Sequence, residues 1–98
     1  MKLNEFQEHV DERWPPKAGW IYPVLGLAGE VGEVVEEFKK SMRPGSSLAA
    51  RTPGIILELG DVLHYLARVA SEMNLTLEEI AVANLEKTAN HKGTHSGA

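Results

Sequence analysis

A small all-α fold, a four-helix bundle, is predicted by three features of the 98-residue chain. Apolar residues recur at spacings of three and four, capping and stop signals divide them into four segments, and no stretch alternates apolar and polar residues as a strand would. A chain of this length supports one modest core, so residues 1–92 are expected to form a single domain, with 93–98 as a frayed tail. The 10 basic and 14 acidic side chains give a net charge of −4, which argues against a dedicated nucleic-acid surface. No run of about 18 apolar residues is present, and the charged opening MKLNEFQEHVDER does not read as a signal peptide. The absence of cysteine fits a reducing compartment, and together these features give the expectation of a cytoplasmic protein with neither a membrane nor a nucleic acid as partner.

The first helix is expected over residues 3–13, with Leu3, Phe6 and Val10 on one face, and WPPKAGW stops it at Trp14 because two prolines cannot continue it. Pro23 fits the first turn of a second helix, which runs to about Lys40 with Lys39 and Lys40 placed to complement its C-terminal dipole. SMRPGSSLAA then reads as a loop of roughly ten residues. Thr52 and Pro53 form an N-cap and first-turn pair for a third helix reaching Met73, where Asn74 can supply a left-handed stop. TLEE, from Thr76, makes a capping box with Glu79 and opens a fourth helix that fades near His91. The core seams are expected at Leu27, Val31, Val34 and Phe38 on the second helix and at Ile55, Leu59, Val62, Leu66, Val69 and Met73 on the third.

Against this background GEVGEVVEE, residues 29–37, is unusual in placing four carboxylates and two glycines in nine residues of a core helix. Its pattern recurs in the third helix. Glu30-Val31-Gly32-Glu33-Val34-Val35 aligns with Glu58-Leu59-Gly60-Asp61-Val62-Leu63, and both acid pairs border their seams. Carboxylates three apart share a helix face, so Glu30 and Glu33 can converge with Glu58 and Asp61 if the two helices pack together. Four such charges repel and raise one another's pKa unless a cation joins them. Oxygen ligands alone favour a hard dication, Mg2+ with Mn2+ as substitute, and Mg2+ shares its coordination readily with phosphate oxygens. Each interior glycine costs about 1 kcal/mol relative to alanine, and Gly29, Gly32 and Gly60 flank the acids where a ligand or a helix could approach closely. Pairs such as Glu5 with Glu8 in the first helix, by contrast, read as solvated surface acids.

GLAGEVGEVVEEF followed by ILELGDVLHYLARV resembles the ExxE…ExxD signature of the all-α nucleoside triphosphate pyrophosphohydrolases, the MazG-like group that includes dimeric dUTPases and dCTP pyrophosphatases. The resemblance spans roughly residues 24–91. It implies Glu30, Glu33, Glu58 and Asp61 as Mg2+ ligands, and hydrolysis of a nucleoside triphosphate between the α- and β-phosphates to a monophosphate and pyrophosphate, by a dimer or tetramer. NLEK is similar to that family's NxxKxxxR element and would put Asn84 and Lys87 at the triphosphate. Two positions depart from the pattern: Gly29 stands where many members have a further Glu, and His91 stands where the element has Arg. Glu33 is the first candidate to assist the attacking water and Glu37, one turn on, the second; sequence does not separate ligand from base.

For the base, Tyr65 resembles a family position that lines the pocket and shares the acids' face, and Trp14 is the next candidate, with Gln7, His9 and His64 behind them. Trp14 and Trp20 also suit plain hydrophobic anchors where the chain turns. The segment 42–51 could close over substrate, with Arg43 or Arg51 contributing charge. Leu25, Val35, Ile56 and Leu63 fall off the main seams, so a homodimer of paired helices is expected. Two other classes compete with the enzyme. One is a non-catalytic helical interaction module on the same scaffold. The other is a di-iron carboxylate bundle, which wants a Glu-x-x-His on each of two helices where only Asp61 and His64 approximate one.

Overall fold

The structure, a computed structural model that describes residues 1–15 and 19–90, contains four helices: α1 (Leu3–Arg13), α2 (Ile21–Ser41), α3 (Leu48–Glu72) and α4 (Leu77–Asn90). Among the described residues there is no strand, and no helix is long and apolar enough to cross a membrane. The expected fade near His91 and the tail 93–98 lie outside the described residues.

Local chemistry accounts for most helix ends. Trp14 turns to extended backbone, with ψ of 134°, as expected of a residue that precedes Pro15. Pro23 is the third residue of α2, inside the first turn, where its missing N–H would have no helical partner, and it is fully buried. Asn74 adopts the left-handed conformation with φ of 58°, and the Leu75 N–H returns to the Ala70 carbonyl at 2.9 Å, closing α3. The capping box forms reciprocally: the Thr76 N–H donates to Glu79 at 2.9 Å and the Glu79 N–H to the Thr76 hydroxyl at 3.1 Å.

The start of α3 differs from expectation. Ser47 is the N-cap, its hydroxyl accepting from the Ala50 N–H at 3.0 Å, while the Thr52 hydroxyl donates back to the Leu48 carbonyl at 2.9 Å and Pro53 lies inside the helix. A serine cap with a helical Leu-Ala-Ala behind it opens the helix early, and Pro53 forfeits only the bond to the Ala49 carbonyl. The connection between α2 and α3 therefore shrinks to residues 42–47, turned by Gly45 at φ of 82°.

Val10, Ala67, Ala70 and Leu77 form the buried core, surrounded by Phe6, Trp14, Leu63, Leu66 and Ile80. Ala67 and Ala70 are small enough for α1 to lie close on α3. Leu63, expected off the seam, is thus covered by the chain's own first helix. The α2 and α3 seams read from sequence need correction. Val31 and Phe38 are 47% and 45% exposed, and Leu59 and Met73 are 50% and 64% exposed. The stripe that α2 turns toward α3 is instead Gly26, Glu30 and Glu37, opposite Tyr65, Glu58 with Asp61, and Gly54 with Arg51, which makes the two helices antiparallel. Apolar spacing marks two faces of α2, and the chain itself covers only the one that carries the acids.

Gln7 is buried and joins three helices. Its amide nitrogen donates to the Ser71 hydroxyl at 2.9 Å and the Leu75 carbonyl at 2.8 Å, and its oxygen accepts from the Leu77 N–H at 2.8 Å. Asn4 accepts from the Glu78 N–H at 3.2 Å. Side chains of α1 therefore cap α4 from outside. Gln7→Leu is expected to lower stability by about 1–3 kcal/mol, because the Leu77 N–H and Leu75 carbonyl lose their partners. Urea denaturation would read this as a lower midpoint with an unchanged slope.

Gly26 also has a packing task. A methyl group there would overlap the Tyr65 ring, whereas at Gly29, Gly32 or Gly60 it would meet nothing within 4 Å. Gly26→Ala is expected to lower the melting temperature, since overpacking costs about 1–3 kcal/mol against a helix-propensity gain of about 1 kcal/mol. Gly29→Ala is expected to raise it by that propensity gain alone. Parallel thermal scans check the opposite signs.

Candidate metal centre

The two acid pairs converge unequally. One carboxylate oxygen each of Glu30, Glu58 and Asp61 lie within 4.8 Å of one another, forming a group that could hold a metal ion. Glu30 and Glu58 are half-buried, while Asp61 faces solvent. Glu33 is exposed and outside this trio, yet close enough that its charge acts on both Glu30 and Glu58. Burial raises the pKa of Glu30 above the usual carboxylate value, with the charges of Asp61 and Glu33 adding to it. Glu58 is raised likewise, first by burial and then by Asp61, Glu30, Glu33 and Glu37. Both effects are those of carboxylates partly withdrawn from water and gathered close together.

Glu37 sits differently. Arg51 donates to it from Nη2 at 2.8 and 3.0 Å and from Nε at 3.2 Å, and the Lys40 ammonium lies 3.5 Å away. These bonds, Arg51 first, hold the Glu37 carboxyl below its usual pKa although burial pushes the other way. Gly54 makes the room, because a methyl there would overlap the Glu37 carboxylate. Arg51 is thus paired with Glu37, and Arg43, 3.7 Å from Glu36, reaches the same helix. This clamp was missed in the sequence, although the seven-residue interval from Glu30 to Glu37 and that from Arg51 to Glu58 signal shared faces.

At the other end of the acids, Trp14 and Tyr65 meet edge to face with centroids 5.5 Å apart. Tyr22 joins them at 5.9 Å from Trp14 and 6.4 Å from Tyr65, and the Arg68 guanidinium lies over Trp14 at 5.6 Å. Desolvation raises the pKa of the Tyr65 phenol, helped by a hydrogen bond with Tyr22. His64 packs among Phe6, Trp14 and Tyr65 rather than with the acids. His9 is exposed, 3.9 Å from Glu12, and Trp20 is 60% exposed. Gln7 is engaged in the bonds between helices described above. Asn84 and Lys87 are on α4, which packs on α1. Position 91 lies outside the described residues.

An acid pair on each of two antiparallel helices, with no strand among the described residues, is the arrangement that the paired-acid sequence signature implies. The model of the MazG nucleotide pyrophosphohydrolase domain matches residues 23–94, and the chain belongs to that family. The chain is 32% identical over 76 residues to the Gene 37 protein of Mycobacterium phage L5, a match covering 76% of this chain and 67% of that protein. Among solved structures it resembles iMazG from Vibrio DAT 722 in two forms. The Ntag form has 28% identity, a TM-score of 0.67 and coverage of 97% of this chain and 99% of the other. The Ctag form has 30% identity, a TM-score of 0.66 and coverage of 92% and 98%.

Proposed function

We propose that the chain hydrolyses a nucleoside triphosphate between the α- and β-phosphates, with Mg2+, to a nucleoside monophosphate and pyrophosphate. The observation that carries this reading is the convergence of Glu30, Glu58 and Asp61 beside the Trp14–Tyr65 aromatic pair. The donor set is carboxylate oxygen throughout, with His64 held among rings, which fits a hard dication such as Mg2+ or Mn2+ better than a di-iron centre. When bound, the dication supplies Lewis-acid polarisation of the phosphate and neutralises charge on the departing pyrophosphate.

The chain's own residues supply the rest. Glu30, Glu58 and Asp61 hold the ion, with Glu33 beside them as a further ligand. Glu33 is solvent-exposed and is the group assigned to take the proton of the attacking water. Glu37 is reserved by Arg51 and Lys40, so it serves position and charge more readily than proton transfer. Tyr65 and Trp14 provide the apolar wall for the base, and Asn84 and Lys87 reach the triphosphate from outside the α2–α3 pair. The proposed assembly is a homodimer, or a tetramer of such pairs, and the proposed location is the cytoplasm, where nucleoside triphosphates are made and used. Pyrophosphate release from a panel of canonical and modified nucleoside triphosphates, with Mg2+ and with EDTA, tests the reading. Metal-dependent release supports it, and no release from folded protein favours a non-catalytic binding module.

A pH dependence follows from the carboxyl groups. Glu30 and Glu58 have raised folded pKa values. Their contribution to stability is therefore fully present below the ordinary carboxylate pKa and is lost as pH rises from there through the raised values. Glu37 works in a lower window, contributing stability that is lost as pH falls through its depressed value. Mg2+ or Mn2+ binds the ionised acids, so its stabilisation is expected to be small at mildly acidic pH and to grow toward neutrality. Calorimetric melting with and without the ion checks the trend.

A further inference from the structure

The α2–α3 groove has unlike ends. Tyr65 follows Glu58 by seven residues and Arg51 precedes it by seven, so all three share one face of α3. On α2, Glu37 follows Glu30 by seven and Lys40 follows Glu33 by seven. Because the helices are antiparallel, the aromatic group of Trp14, Tyr22 and Tyr65 stands at one end, the acids in the middle, and Arg51, Glu37 and Lys40 at the other. From Gly26, against Tyr65, to Glu37 is eleven residues of helix, about 16 Å of rise, comparable with an extended nucleoside triphosphate.

We propose, on the reading of function above, that Arg51 and Lys40 receive the two terminal phosphates, so that the nucleotide lies with its base at Trp14 and Tyr65 and its pyrophosphate at the Glu37 end. Two cations share one carboxylate, so the cluster keeps a net positive charge two turns from Glu30 and Glu58. Arg51 and Lys40 are about one-third exposed, at 34% and 35% of their side chains, while Glu37 is 12% exposed. The carboxylate is the inner member and the cations present the outer surface. Glu37, seated in the space left by Gly54, holds the guanidinium through Nε and Nη2, which leaves Nη1 for an anion. The Lys40 ammonium keeps N–H donors beyond its one ion pair. Cleavage between the α- and β-phosphates turns this end into the seat of the leaving pyrophosphate, where positive charge matches the charge that develops on it.

The test is calorimetric binding of inorganic pyrophosphate, in the presence of Mg2+, to the full chain and to two variants, with Mg2+ binding alone measured beside it. Arg51→Gln is expected to weaken pyrophosphate about tenfold, the loss of one charge-assisted contact, while Mg2+ affinity and KM-independent binding of a nucleoside monophosphate stay unchanged. Glu37→Gln frees both cations and is expected to bind pyrophosphate as tightly as the parent or more so. The double variant Glu37→Gln, Arg51→Gln keeps an amide pair in the seat and is expected to match Arg51→Gln, which guards against misfolding of the single variant. A purely structural clamp predicts equal losses in both single variants, and that result would overturn the proposal, as would full pyrophosphate affinity in the Arg51 variants. Parent protein that hydrolyses triphosphates yet binds pyrophosphate independently of Arg51 sinks only this assignment. Absence of any metal-dependent hydrolysis sinks the function on which it rests.

Discussion

Glu58→Gln is expected to lower turnover by about a thousandfold while raising the melting temperature of the metal-free protein at neutral pH. The two effects share one cause. Glu58 is half-buried beside Asp61 and Glu30, and burial plus their charge makes its ionised form unfavourable in the fold. An amide of the same shape removes that cost, so the apo protein gains stability above the carboxylate range and little below it. The same change removes an anionic oxygen from the trio that converges within 4.8 Å. Loss of several kcal/mol of metal-assisted charge stabilisation corresponds to roughly a thousandfold in rate. A stabilised, inactive variant would show that the acids are kept for function at the expense of stability. Unchanged turnover, or a lower melting temperature without metal, would make Glu58 an ordinary structural residue.

Val35→Asp with Phe38→Asp is expected to convert the protein to monomers and to remove much of its thermal stability. Val31, Val35, Phe38 and Met42 recur at spacings of four, three and four along α2 and its C-cap and are all exposed in the single chain, as are Val24 and, on α3, Ile56 and Leu59. The radius of gyration is 16.1 Å, whereas a compact chain of this length has about 13 Å. An exposed apolar stripe of this kind on a helix pair is what a second copy would cover. Light scattering at micromolar concentration reads the result: a dimeric parent and a monomeric variant are expected. A parent that is already monomeric would contradict the assembly.

The degree to which the sequence was legible follows from the range of the interactions involved. Helix number and the ends at Trp14, Asn74 and Thr76 are set by caps, prolines and left-handed stops, which act within a few residues. The start of α3 was misplaced because Thr52–Pro53 and Ser47 both make local sense; the serine won by capping a turn that continues into the helix. The acid pairs were visible because two matched carboxylate spacings in one small chain imply a common face. Which apolar face the chain covers was not visible. Periodicity shows that Val31, Phe38 and Leu59 form stripes, but whether their partner is another helix of the same chain or another copy is a tertiary matter. The roles of Gly26 and Gly54 were hidden for the same reason, since each is defined by a side chain 39 or 17 positions away, Tyr65 or Glu37. Gln7 read as a weak base contact because nothing nearby in sequence shows that it caps α4.

The most direct test of the central claim is phosphorus NMR of the products when the protein turns over a nucleoside triphosphate with Mg2+ in heavy-oxygen water. The account predicts nucleoside monophosphate and pyrophosphate, with the heavy oxygen on the monophosphate, as attack at the α-phosphorus requires. A nucleoside diphosphate with orthophosphate, or heavy oxygen found only in pyrophosphate, would contradict it.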